Sequence, residues 1–163
     1  MADLEIIPEK SGRSYTDAEK AACAEEKNAS YREPLARMSP ADLSVDVKTT
    51  LETLRENGLK LAIGSSSKNT PSSWSGSAWA FFDRAADGNC ITHSKPHPEV
   101  FLKAAYMIGL SPRGCPVVED AHAGVEAAAA GRFDCAAIGN AKKDKRARWH
   151  LERFSDLLRA VAD

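Results

Sequence analysis

Two adjacent carboxylates, Glu119 and Asp120, follow the apolar pair Val117-Val118, and Ala121, Ala123 and Gly124 come close behind. Such a short apolar run reads as a buried parallel strand that delivers both acids to its carboxyl end. In an open α/β sheet, ligands gather outside the carboxyl ends of the strands. Two acids there suit a hard cation such as Mg²⁺, which takes oxygen ligands and keeps several waters. The alternative is a strand end with two solvated acids. Ser65 stands at a second such place, heading the run Ser65-Ser66-Ser67-Lys68-Asn69. A hydroxyl there can bond a phosphate oxygen, helped by N–H groups at a helix start. The commoner use of such serines is a turn or a cap. Lys95 lies on a loop stiffened by Pro96 and Pro98. Held there, its ammonium is a point-charge partner for a phosphoryl group; otherwise it is a solvated lysine. The four histidines, His93, His97, His122 and His150, lack zinc-type spacing, and none is given a metal. His122, beside the acids, reads as a surface or helix-start residue, with substrate contact as the alternative.

The elements that must carry these groups follow from periodicity. Leu59 to Gly64 is strand-like before Ser65. Residues 91–98 form a loop leading into a helix from Pro98 to about Ile108, with Val100, Ala104 and Met107 on one buried face. After the strand at Val117-Val118 comes a helix ending near Ala130 and stopped by Gly131, then a strand over Cys135 to Gly139. Phe154 to Val161 reads as a short amphipathic helix. Upstream, Thr16-Asp17-Ala18-Glu19 is a capping box opening a helix towards Tyr31, broken or restarted at Pro34. Met38-Ser39-Pro40 reads as a hinge. Val47, Leu51 and Leu54 share a helix face that ends at Gly58. Alternating strands and helices imply βαβ units and a parallel sheet.

A chain of 163 residues favours one domain with a real core, or one domain plus a fragment. The expected division is 1–43, all helical, and 44–163, an α/β core. A net charge of -1 argues against nucleic-acid binding, which calls for a basic surplus. The basic stretch from Lys142 to Arg148 reads as a solvated loop rather than a polyanion site. Cys23, Cys90, Cys115 and Cys135 form no C-x-x-C pair, so free thiols in a reducing cytoplasm are the expectation. No signal-peptide pattern and no membrane-length apolar run occurs in the sequence.

Strand–Ser, loop Lys-Pro and strand–Glu-Asp, in that order, resemble motifs two to four of the haloacid dehalogenase superfamily. Four stretches resemble its β-phosphoglucomutase group more closely: Leu61 to Pro71, Asp87-Gly88-Asn89, Ser94 to Phe101, and Val117 to Ala121. The resemblance implies a Rossmann-like core with a parallel sheet, and a helical front part corresponding to the end of a cap domain. It implies that Ser65 and Lys95 bind the phosphoryl group in transfer. Ser67, Lys68 and Asn69 would bind the non-reacting phosphate, Ser66 would be a further substrate-binding residue, and Lys27 and Asn28 would lie near the substrate. Glu119 and Asp120 would help to hold Mg²⁺. The implied reaction moves a phosphoryl group between C1 and C6 of glucose through a bisphosphate and an aspartyl-phosphate. A sugar-phosphate phosphatase of the same superfamily, and a non-catalytic interaction module, are the alternatives. The implied partner is a small sugar phosphate, with neither nucleic acid nor membrane.

The family's first motif, Asp-x-Asp, does not occur in this sequence. Its first aspartate is the nucleophile, and neither Ser65 nor Lys95 can replace a carboxylate in line with phosphorus. In the family the strand bearing it lies between those ending at Ser65 and Glu119. Those two strands are therefore expected to pair, stay open, or accept a strand from elsewhere. Open apolar edges would favour self-association. The chain reads as N-terminally truncated. The polar stretch from Ser72 to Ala80 lacks the helical periodicity a βα unit needs. One choice of codons, read in another frame, gives Phe-Ile-Leu-Glu-Arg-Ile-Gly-Leu-Gly, so a local frameshift is expected there.

Overall fold

The computed structural model describes residues 15–37, 40–68 and 78–162. The chain divides into two compact units, Met1–Met38 and Ser39–Asp163. In the first, helix α1 spans Asp17–Arg37. Its capping box forms: the Thr16 N–H donates to Glu19 Oε2 at 2.8 Å, and the Glu19 N–H to Thr16 Oγ1 at 3.2 Å. Contrary to the sequence expectation, α1 continues past Pro34. Proline forfeits the bond its own nitrogen would make, and only residues 35–37 of the helix follow it.

The second unit alternates strands and helices: α2 (Val45–Glu56), β1 (Ala62–Gly64), β2 (Arg84–Ala86), α3 (Glu99–Met107), β3 (Val117–Glu119), α4 (His122–Ala130), β4 (Cys135–Ala137), β5 (Trp149–His150) and α5 (Leu157–Ala160). Ser44 Oγ caps α2 by accepting the Val47 N–H at 3.3 Å. Gly58, at φ +78°, takes the left-handed conformation that stops the helix. The strands are shorter than the apolar runs suggest: β1 begins only at Ala62, and β4 ends at Ala137, with Gly139 already opening a 3-10 turn. Residues 72–77 of the odd polar stretch lie outside the described residues, and Ala78–Phe81 forms a 3-10 turn.

All the pairing is parallel, but it builds two sheets instead of one. β1 pairs with β2, with Ala62 opposite Arg84 and Gly64 opposite Ala86. β3, β4 and β5 form the other sheet, with Val117 opposite Cys135 and Ala137 opposite His150. β1 and β3 do not pair with each other. Among the described residues, β1 and β3 keep the edges that face each other open, one of the three outcomes expected from the sequence. Between them lies a cavity of about 660 Å³ lined by both strands.

The core forms two clusters. One gathers Val100, Phe101, Ala104, Val125, Phe133, Cys135 and Ala137. The other gathers Leu54, Ala136, Leu151, Leu157 and Ala160. Successive β4 residues therefore enter opposite clusters, as a strand buried on both faces requires. On α3 the buried set is Val100, Phe101, Ala104 and Ala105, while Met107, expected inside, is 37% exposed. The stripe follows i, i+1, i+4 and i+5, which carries Met107 past its edge. The tail is a 3-10 turn, Phe154–Asp156, running into α5 rather than one continuous helix. No described helix is long and apolar enough to cross a membrane.

Candidate phosphate and metal site

β1 ends at Gly64, where a Cβ would stand 2.7 Å from the Phe101 ring. The chain then turns through Ser65, whose N–H donates to the Ala86 carbonyl at 2.9 Å. Its Oγ accepts the Ser67 N–H at 3.1 Å, making the local turn that serines favour. Asp87-Gly88-Asn89 supports this loop. The Gly88 N–H donates to the Ser67 carbonyl at 2.9 Å, and Asn89 Nδ2 to the Lys68 carbonyl at 3.1 Å. A Cβ at Gly88 would lie 2.5 Å from the Ser66 carbonyl oxygen, so only glycine permits this approach.

Lys95 ties this loop to the acidic strand. Its N–H donates to Ser66 Oγ at 3.4 Å, and its Nζ is ion-paired with Glu119. The ammonium also lies 4.7 Å from the Phe101 ring centroid. Its side chain is 19% exposed and that of Glu119 is 8% exposed, so Lys95 is not a solvated loop lysine. Lys95 thus joins the carboxyl ends of β1 and β3.

Strand alternation separates the two acids. Glu119 turns inward onto Lys95 and the first turn of α4, where a Cβ at Gly124 would overlap its carboxylate. Free N–H groups at a helix start favour a negative charge there. Asp120 is exposed, and its side chain has no partner among the described residues. Its carbonyl accepts the Ala141 N–H at 3.0 Å. Asp120 thus offers hard oxygen donors beside solvent, which suits a hydrated Mg²⁺, with Glu119 as the neighbouring charge. Lys27 and Asn28 fall on α1, but their side chains, like Asn69 as a whole, lie outside the described residues.

Two acids escaped the sequence reading. Asp144 is buried within the basic stretch that was expected to be merely solvated. It accepts bonds from Arg146 Nε at 3.0 Å and Nη2 at 2.7 Å, and lies 2.7 Å from His122 Nδ1. These partners hold its carboxyl well below the usual carboxylate range, the Arg146 bonds most strongly. Arg146 also reaches Glu126 at 2.8 Å, and Arg148 pairs with Asp134 at 2.7 Å. Glu99 accepts the Thr92 N–H at 3.0 Å and the His93 N–H at 2.9 Å. Led by the Thr92 bond, these lower its pKa to about 2. The ligand atoms of His93, His97 and Glu99 lie within 4.8 Å of one another, a grouping that their spacing did not suggest. The capping-type pattern of an acid just after Pro98 was the available sequence signal for Glu99.

Residues 6–132 match the model of a family described as haloacid dehalogenase-like hydrolase. A β-phosphoglucomutase of Bacillus subtilis is 31% identical over 144 residues, covering 88% of this chain. The chain spans 64% of that relative's length. A phosphoglycolate phosphatase of Mannheimia succiniciproducens is 31% identical over 170 residues, covering 97% of the chain and 74% of the relative. Among solved structures, a β-phosphoglucomutase from Clostridium difficile superposes with a TM-score of 0.81 at 28% identity, over 96% of this chain and 71% of that one.

Proposed function

The chain belongs to the haloacid dehalogenase-like hydrolase family, and from that premise we propose that it serves phosphoryl transfer of the β-phosphoglucomutase type on a small sugar phosphate. The observation that carries this reading is the double attachment of Lys95, to Ser66 through its N–H and to Glu119 through its ammonium. One residue thereby sets the serine loop and the acidic strand end at a common point.

Each group then has one task. The Ser65 hydroxyl and Lys95 ammonium hold oxygens of the phosphoryl group in transfer, fixing it for in-line displacement. Ser66, Ser67, Lys68 and Asn69 hold the second, non-reacting phosphate. Asp120, supported by Glu119, would hold Mg²⁺, which would supply charge neutralisation at the phosphoryl oxygens. The covalent step needs a carboxylate in line with phosphorus. Asp-x-Asp is absent from these 163 residues, so this chain contributes positioning and charge rather than that nucleophile.

Titrating the chain calorimetrically with β-glucose 1-phosphate, with and without Mg²⁺, tests the reading. Expected is Mg²⁺-dependent binding that Lys95→Met weakens at least about tenfold, the scale of one lost charge-assisted bond. Binding indifferent to both Mg²⁺ and Lys95 would refute it. Turnover to glucose 6-phosphate by the chain alone is expected to fall on the order of a million-fold below that of an enzyme with its nucleophile, by the scale known for nucleophile loss. The phosphatase relative supports a second reading, phosphate-ester hydrolysis, in which water accepts the phosphoryl group. Selective binding of phosphoglycolate over glucose phosphate would favour it.

A further inference from the structure

His93, His97 and Glu99 take no part in the phosphate and Mg²⁺ set, yet the loop that enters α3 gathers them. Their ligand atoms lie within 4.8 Å of one another. The backbone builds this closeness. The His97 N–H donates to the Ser94 carbonyl at 3.0 Å, a turn that returns His97 towards His93. The two rings then lie with centroids 4.6 Å apart. The Glu99 side chain, 18% exposed, is fixed by the N–H groups of Thr92 and His93. So held, it sets Oε2 at 3.1 Å from His93 Nδ1. Glu99 alone ties the loop down through those backbone bonds, whereas both imidazoles are exposed and bury little.

We propose that His93, His97 and Glu99 bind a borderline divalent cation of the Zn²⁺ type, with solvent completing its shell. Two imidazoles and one carboxylate favour such an ion over Mg²⁺, which takes oxygen ligands. Bonds of about 2.0–2.1 Å in tetrahedral array set ligand atoms about 3.3 Å apart, close to the span between His93 Nδ1 and Glu99 Oε2. The carboxylate only accepts, so His93 Nδ1 carries a hydrogen towards it. The cation takes that hydrogen's place, and the proton passes through solvent to Nε2 of the same ring. His97 Nδ1 accepts the Glu99 N–H at 3.3 Å, so this nitrogen already has a lone pair to give. Rotation of the exposed His97 ring closes the set, and the released N–H, in the first turn of α3, meets solvent. Lys103 Nζ stands 3.5 Å from Oε1, the other oxygen, and offsets part of the carboxylate charge. The imidazoles therefore carry most of the affinity. Lys95, between the histidines in sequence, sends its ammonium to Glu119 and does not compete. The site is independent of the phosphoryl-transfer reading, since no substrate group enters it.

Zn²⁺ is the probe, titrated calorimetrically into the full chain at neutral pH. Excess Mg²⁺ is present throughout to occupy Glu119 and Asp120, and the histidine ring signals are followed by NMR. Expected is a saturable one-to-one event that shifts the rings of His93 and His97 and leaves those of His122 and His150 in place. His93→Gln and His97→Gln should each weaken it at least about tenfold, the lower end of what a lost metal-site partner costs. Both side chains are exposed, so neither change removes core packing. Cys23→Ser, which deletes the exposed thiol, should leave Zn²⁺ affinity unchanged. Absence of saturable Zn²⁺ binding, affinity indifferent to either histidine substitution, shifts confined to His122 or His150, or dependence on Cys23 would each overturn the proposal. Sugar-phosphate binding is read in a separate titration without Zn²⁺, so failure of one reading leaves the other standing.

Discussion

Gly124 lacks a side chain at the one place where the Glu119 carboxylate needs room: a Cβ there would overlap the acid. The glycine is thus a positioning device for the charge that Lys95 meets. It lets a nearly buried carboxylate rest on the first turn of α4, where free N–H groups offset part of its desolvation.

Gly124→Ala should therefore displace Glu119 and break its pair with Lys95. The expected cost is about 1–3 kcal/mol, the range for overpacking a close contact. Urea unfolding measures it, and Glu119→Ala should make the glycine substitution nearly neutral. Additive effects of the two changes would show that the contact is not what constrains Gly124.

Lys95→Met tests the pair from the other side. Both side chains are largely buried, at 19% and 8% exposure, so removing the ammonium strands a carboxylate in a poorly solvated place. A loss of about 2–4 kcal/mol is expected from the behaviour of broken buried pairs. Lys95→Met with Glu119→Gln should recover part of that stability but no phosphate affinity. Thermal unfolding and phosphate titration, run side by side, separate these two roles.

The site was legible in the sequence where it depended on local chain. Ser65 and Glu119 each follow an apolar run, Lys95 is framed by prolines, and Thr16 with Glu19 spells its capping box. What depended on partners far along the chain was not. Asp144 owes its burial to Arg146 and to His122, 22 residues away. The different fates of Glu119 and Asp120 depend on which side of β3 carries Lys95. The split into two sheets likewise reflects how β1 and β3 are paired, which no local pattern in either strand records.

Acid sensitivity should localise to the loop before α3. Glu99 has a folded pKa of about 2 against an ordinary 4.5, because backbone N–H groups of Thr92 and His93 bond its charged form. A depressed carboxyl pKa contributes stability that is full above about 4.5 and is lost as pH falls towards about 2. Melting temperatures measured across that window should fall more steeply for the native chain than for Glu99→Gln. Parallel curves would mean that the loop bonds do not favour the ionised acid.

Thiol chemistry provides a readout of core integrity. Cys135 is 2% exposed on β4, and burial, with the nearby Glu119 charge adding to it, pushes its thiol up to about 12. The thiolate is the reactive form, so at pH 8 Cys135 should resist iodoacetamide on both grounds of access and ionisation. Cys23 is exposed on α1 and should be alkylated first. Mass spectrometry over a time course gives the order, and Cys135 labelling should track unfolding in urea. Fast labelling of Cys135 in the native chain would mean that β3, β4 and β5 do not form the stable sheet on which the position of Glu119 depends.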